Sequence, residues 1–262
     1  MSDYGSELFQ GTASFYSKYR PLYPPSLVRF LIHTFSTNGD GTMLDLGCGT
    51  GQLACRFSDW FDQIIGIDPE LEMIQEAQDF SSTLRLTNTK WLHGTLDTYL
   101  RTNNEDNLKL VTIAKAFHWM DRKTTLEQLY PRIVAGGGIA IIDQYGQKTE
   151  QWQQTVKHVT EQWYGKKRRA GKTTYTHPSI RHEEIIQSSS FTFDQVELPF
   201  YSFIWTPETI IGHLYSTSFG AKRFLGSRSR EFETHLTSEL LKLNEDGQFT
   251  EQIGIAIKLA LK

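Results

Sequence analysis

Cysteine is scarce in this chain: two residues in 262, Cys48 and Cys55. Two are too few to frame a disulfide-stapled secreted fold. Cys48 also sits inside a glycine loop, where a bridge is awkward, so both read as reduced thiols of a cytoplasmic protein. No stretch approaches ~18 uninterrupted apolar residues, which excludes an ordinary membrane-spanning helix. The opening residues Met1–Gly5 lack a basic start followed by an apolar run, so no signal peptide is expected. Charge of one sign is not in excess either. A net −3 gives no field that would draw nucleic acid or an anionic membrane, and neither is expected as a partner. Internal repeats and low-complexity segments are absent. What is present, 39% hydrophobic and 22% charged residues, is the composition of a globular protein.

Hydrophobic periodicity then orders the chain. Leu27, Val28, Phe30, Leu31 and Phe35 recur at helical spacing, and Asn38–Gly41 breaks that helix. Met43–Leu46 and Ile64–Ile67 read as buried strands, the first running into glycine and the second ending at Asp68. A helix is expected near Gly51. Another follows Asp68, with Pro69 in its first turn and Leu71, Ile74 and Ala77 on one side. Leu84–Leu92 is expected to hold a third strand, Asn103–Asn107 a solvated connection, Leu108–Ala114 a fourth strand and Arg122–Val134 a helix. Gly138–Ile142 would be the fifth strand, with Gly136-Gly137-Gly138 ending the helix before it. Strands alternating with helices imply parallel pairing through right-handed crossovers. The fold class is therefore α/β, a Rossmann-like doubly wound sheet, mostly parallel.

Beyond Asp143 the pattern changes. Helices are expected over Gln151–Gly165, Pro178–Ser188, Pro207–Tyr215 and Ser229–Leu243. Phe191–Trp205 and Ile253–Ile257 read as strands, making an antiparallel C-terminal pair. The organisation expected is an N-terminal lid segment with a cofactor-binding core over 1–144, a helical substrate-lid insertion over 145–189, and C-terminal core strands over 190–262 with a helical insertion at about 207–245.

The strongest constellation is Leu44-Asp45-Leu46-Gly47-Cys48-Gly49-Thr50-Gly51 between a strand and a helix, followed by Asp68 at the next strand's end. Glycines let the backbone turn sharply and approach a ligand, and ligands of doubly wound sheets bind beyond the strands' carboxyl ends. A carboxylate such as Asp68 offers two acceptors to a ribose diol. The dinucleotide fingerprint needs a third glycine where Gln52 stands, which argues against a nicotinamide dehydrogenase.

The spacing G-x-G-x-G, with Ile65–Pro69, Met73, Ile74 and Ala77 beyond it, resembles the first two motifs of class I S-adenosylmethionine-dependent methyltransferases. Tyr16–Pro24 and Ala116–Asp121 resemble the small-molecule branch that includes trans-aconitate methyltransferases. The resemblance implies S-adenosyl-L-methionine as cofactor. It implies contacts from Gly47, Gly49 and Gly51, with Asp45, Cys48, Pro69, Met73 and Lys115 nearby, a ribose held by Asp68, and Thr95 and Leu96 beside the adenine. In that branch the N-terminal tyrosines fold over the cofactor, so Tyr16 would cover it and Arg20 would pair its carboxylate. The reaction implied is in-line methyl transfer to oxygen or nitrogen of a small acceptor, carboxylates included. It demands mainly positioning, with a general base only where the nucleophile must lose a proton. His118 and Tyr145 are the first candidates for such a group, with Asp143, Tyr175, His177, His213 and Tyr215 also in the expected cleft.

Other readings stay open at this stage: non-methyl chemistry with the same cofactor, such as cyclisation or carboxypropyl transfer, and a non-catalytic cofactor-binding protein. Gly171-Lys172-Thr173 lacks the spacing and the preceding strand of a phosphate loop. The basic run Lys166–Lys172 reads as a solvated loop. His177 and His182 complete no zinc motif, so no metal is expected. Oligomeric state is not legible.

Overall fold

The computed structural model describes residues 7–102, 107–147, 150–167, 169–176 and 178–262. Its centre is a seven-stranded sheet. The strands are β1 (Thr42–Leu46), β2 (Gln63–Asp68), β3 (Thr89–His93), β4 (Leu108–Ala114), β5 (Ile133–Gly146), β8 (Thr192–Trp205) and β9 (Phe249–Leu261), in spatial order β3-β2-β1-β4-β5-β9-β8. The first five are parallel, while β9 runs antiparallel to both β5 and β8. A two-residue hairpin, β6 (Arg169–Ala170) with β7 (Thr173–Thr174), stands apart. The strand order reverses between β1 and β4, which creates the crevice where such sheets bind ligands.

Both faces of the sheet are covered, so its central strands carry apolar residues on both sides. Along β1, Met43 joins a core with Leu27, Leu31 and Ile64, whereas Leu44 and Leu46 join another with Ile65, Ile67 and Val111. The helices are α1 (Ala13–Tyr19), α2 (Pro25–Thr34), α3 (Leu71–Thr83), α4 (Leu96–Thr102), α5 (Arg122–Leu129), α6 (Gln151–Tyr164), α7 (His182–Gln187), α8 (Pro207–Tyr215) and α9 (Ser229–Leu243). A third core lies among the late helices, where Val159, Ile210, Leu214, Phe232 and Leu236 pack together with Trp205. Among the described residues no helix is long and apolar enough to cross a membrane.

Several boundaries differ from expectation for identifiable reasons. The helix placed near Gly51 is a 3-10 helix over Ala54–Trp60. Pro69 precedes α3, whose N-cap is Glu70, and Leu71 is exposed rather than packed. The third strand starts only at Thr89, because Arg85 takes a left-handed φ of 58° and the Leu86 N–H turns back to the Ser81 carbonyl. Gly136-Gly137-Gly138 lies inside β5 rather than after a helix. The four residues Val134–Gly137 loop out of register between Leu108↔Ile133 and Leu110↔Gly138, and a Cβ on Gly137 would stand 2.7 Å from the Lys109 carbonyl oxygen. The helix expected from Pro178 begins at His182. Asn103–Asp106 and His177 lie outside the described residues.

Candidate active site

The glycine loop is a chain reversal held by its own backbone. Gly47 and Cys48 both donate N–H bonds to the Ile67 carbonyl, at 2.9 and 3.1 Å. Gly47, Gly49 and Gly51 have φ of 76°, 52° and 73°, a region that L side chains enter at a cost of about 1–2 kcal/mol. Asp68 braces the turn: its Oδ2 accepts the Gly49 N–H and its Oδ1 accepts the Glu70 N–H, each at 2.9 Å. Burial raises its carboxyl to about 6, against those two hydrogen bonds, which lower it.

Beyond this loop, at the C-terminal ends of β1, β2 and β4, lies a cavity of about 440 Å³, ample for a nucleoside-sized ligand. Of the residues singled out from sequence, Tyr16, Gly47, Gly49, Asp68, Pro69, Met73, Thr95, Leu96 and Lys115 line it. A narrow recess of about 30 Å³ adjoins it, sharing Tyr16, Gly47, Ala114 and Lys115, and is lined in addition by Arg20, Asp45 and Cys48. It is much smaller than the larger cavity, and charged side chains stand in its walls. Arg20 donates from Nε to Ser216 Oγ at 2.8 Å and stacks its guanidinium 4.7 Å above the Tyr16 ring. Asp45 accepts the Thr112 hydroxyl at 2.6 Å, and burial lifts its carboxyl to about 7. Lys115, with a φ of 55°, reaches the Gln144 carbonyl at 2.8 Å. The Cys48 thiol is pushed well up by burial, which removes it from nucleophilic roles.

Three of the residues singled out from sequence lie away from both cavities. Gly51 lines neither cavity; a Cβ there would meet Trp91 Cη2 at 2.6 Å and Ala77 at 3.1 Å, so this glycine serves packing. Gly51→Ala is accordingly expected to lower stability by roughly 1–2 kcal/mol while leaving ligand affinity in the folded fraction intact, as thermal melts and calorimetric titration would show. His118 lines neither cavity: its ring lies 4.5 Å from that of Trp119, tilted by 48°, and meets Tyr175 edge-on at 5.9 Å, and it is Trp119 that faces the larger cavity. Tyr145 is also outside, since its ring packs against Phe200 and its hydroxyl donates to Glu197 at 3.4 Å.

The larger cavity has walls the sequence did not announce. Glu70 is buried in it, raised by burial to about 7, with the Phe9 N–H on its carboxylate. Phe9 and Gln128 line it as well. Glutamate is not a favoured N-cap residue, and that mismatch two positions after Asp68 was the available signal. Gln52, at the position of the missing third glycine, donates to the Ser17 carbonyl at 2.6 Å and so ties the glycine loop to α1. Among the described residues no cluster fit to hold a metal is present.

Residues 43–138 match the family described as the methyltransferase domain. Two curated relatives are similar to the chain: the probable S-adenosylmethionine-dependent methyltransferase CRG1 of Saccharomyces cerevisiae, 27% identical across 48% of this chain and 43% of that one, and the uncharacterized methyltransferase YcgJ of Bacillus subtilis, 23% identical across 49% and 51%. The chain spans about half the length of the relatives it matches. Solved structures share the fold over nearly the whole chain. A putative type II methyltransferase from Anaeromyxobacter dehalogenans superposes with a TM-score of 0.65 at 17% identity, covering 93% of this chain and 98% of that one. A SAM-dependent methyltransferase from Thiobacillus denitrificans, in complex with S-adenosyl-L-homocysteine, gives 0.51 at 17% identity over 95% and 97%. The stretch that matches a methyltransferase domain, residues 43–138, thus holds the glycine loop, Asp68 and the turn after β4.

Proposed function

We propose that the chain is an S-adenosylmethionine-dependent methyltransferase acting on a small-molecule acceptor. The observation that carries this reading is the pairing of unlike cavities around one loop. The larger, tipped by Asp68, suits a nucleoside. The recess, with Arg20 and Asp45 in its walls, suits the carboxylate and ammonium of an amino acid. A ligand that is nucleoside at one end and amino acid at the other fits both, whereas a dinucleotide leaves the acid and base of the recess unused. When bound, S-adenosylmethionine supplies a methyl group activated by its sulfonium.

The chain's own residues do the rest. Asp68 keeps free lone pairs for the ribose hydroxyls after bracing the loop. Thr95 and Leu96 border the adenine end, and Tyr16 spans both cavities as a roof. Arg20 is pre-aimed by Ser216, which limits the entropy lost on binding. Catalysis then rests on positioning and exclusion of water. The likeness of Tyr16–Pro24 to the trans-aconitate methyltransferase branch supports a small molecule as acceptor.

Calorimetric titration tests the cofactor. S-adenosylmethionine and S-adenosylhomocysteine should both bind and NAD should not; the reverse pattern would refute the proposal. Turnover without acceptor that released methylthioadenosine would point instead to non-methyl chemistry.

A further inference from the structure

Ahead of α1, residues 7–11 run along the larger cavity as a strap, and Leu8 and Phe9 form part of its wall. Phe9 spans the crevice of the sheet. Its N–H bonds to the carboxylate of Glu70, after β2, while its ring meets Trp119, after β4, edge-on at 6.3 Å. The strap belongs to no helix or strand, so its position depends on partners elsewhere. Gly11 donates its N–H to Glu72 Oε2 at 2.8 Å. Two of the strap's carbonyls are taken by one residue: Arg223 donates from Nη2 to Glu7 O at 2.7 Å and from Nη1 to Gln10 O. Amide donors thus face carboxylates and carbonyl acceptors face a guanidinium, which makes these bonds charge-assisted.

Arg223 stands 213 residues further along the chain than Gln10, in the 3-10 turn Lys222–Phe224 after α8. It is exposed, and its guanidinium lies 4.7 Å from the Phe224 ring. Phe224 is also in the wall of a cavity of about 670 Å³ between α6 and α8, which shares no lining residue with the cofactor cavities. A guanidinium offers its donors in a rigid planar fork, so Arg223 fixes both ends of the strap at once. The strap continues into α1 through Thr12, whose N–H and hydroxyl return to the Phe9 carbonyl at 3.0 and 2.6 Å, and whose own carbonyl accepts the Tyr16 N–H at 2.9 Å. Phe9 and the Tyr16 roof are thereby one hydrogen-bonded unit. Neither Arg223 nor Glu72 lines a cofactor cavity. Building on the methyltransferase reading, we propose that Arg223 is a positioning residue: with Glu72 as its counterpart it latches the strap over bound cofactor, and the latch must open for S-adenosylhomocysteine to leave.

Stopped-flow kinetics of S-adenosylhomocysteine binding, with hydrogen exchange of residues 7–12, test this. Arg223→Ala should speed dissociation roughly tenfold, the scale of one hydrogen bond to a charged group, and should speed exchange at Phe9 and Gly11. Glu72→Ala should do the same. The double variant should add little to either single one, because both release the same strap. Lys222→Ala is the control: it breaks the 2.9 Å bond to Glu233 from the same turn without touching the strap, so dissociation should keep the wild-type rate. Unchanged dissociation in Arg223→Ala, with or without a loss of binding sites, or equal acceleration in Lys222→Ala, overturns the latch and leaves the cofactor reading standing. If the wild type does not bind S-adenosylhomocysteine, the methyltransferase reading fails and the latch with it.

Discussion

Asp68→Ala is expected to weaken S-adenosylhomocysteine binding by about 1.5–3 kcal/mol, roughly 10- to 150-fold. The loss has two sources. The ribose hydroxyls lose a charged acceptor, and the Gly49 and Glu70 N–H groups, each 2.9 Å from the carboxylate, lose the brace that shapes the loop. The second source also predicts a lower melting temperature without ligand. The carboxyl is raised to about 6 by burial. Wild-type affinity should therefore fall as pH drops through about 6, when the acid takes up a proton and gives up an acceptor, and the variant should lose that dependence. An unchanged affinity in a folded Asp68→Ala protein would remove this residue from the ligand site.

Much of this site was legible because it is local. The glycine loop, its strand and Asp68 lie within 27 residues, and each obeys a rule that a sequence displays: a buried apolar run, a left-handed turn, an acid after a strand. Strands β1, β2 and β4 were legible for the same reason. Strand β3 was misplaced because it is half-exposed and mixes Lys90 and His93 with Trp91 and Leu92, which blurs the apolar run. The Gly136–Gly138 triplet misled because glycine usually ends helices, whereas here it permits close passage of β5 against the Lys109 carbonyl.

Side-chain direction was the harder problem. His118 and Trp119 are neighbours on one short 3-10 turn and their rings lie 4.5 Å apart, both against Tyr175, yet only Trp119 lines the cavity. Tyr145 sits where β5 leaves the core, but strand alternation turns its ring toward Phe200 and Glu197. The cavity between α6 and α8 was illegible in principle. Its walls come from residues 152–169, 205–224 and 251, and each segment reads alone only as an amphipathic helix, a strand end or a loop.

Asp45→Asn should stabilise the ligand-free protein at pH 8 while weakening its binding of S-adenosylhomocysteine. Asp45 is 1% exposed, and burial, the largest influence, raises its carboxyl to about 7; the Thr112 hydroxyl opposes the rise and the Asp68 charge adds to it. In the unfolded chain the same acid titrates near 4. Between about pH 4 and pH 7 the folded state thus holds more protons than the unfolded one, and stability falls as pH rises through that window. The full effect of a rise of this size is at most about 4 kcal/mol. Asparagine removes the titration yet keeps an acceptor for Thr112. Its melting temperature at pH 8 should therefore exceed the wild type's by several degrees, at about 2–4 °C per kcal/mol for a chain of this size, and the two should converge toward pH 4. Glu70 and Asp68 titrate in the same window, so the difference between the two curves, rather than either slope, isolates Asp45. Parallel curves with equal midpoints would sink the assignment. A carboxylate kept at such a cost, in the wall of the same recess as Arg20, is explained by a cationic ligand group that restores the lost stability on binding. The same variant should accordingly gain stability alone and gain less from S-adenosylhomocysteine.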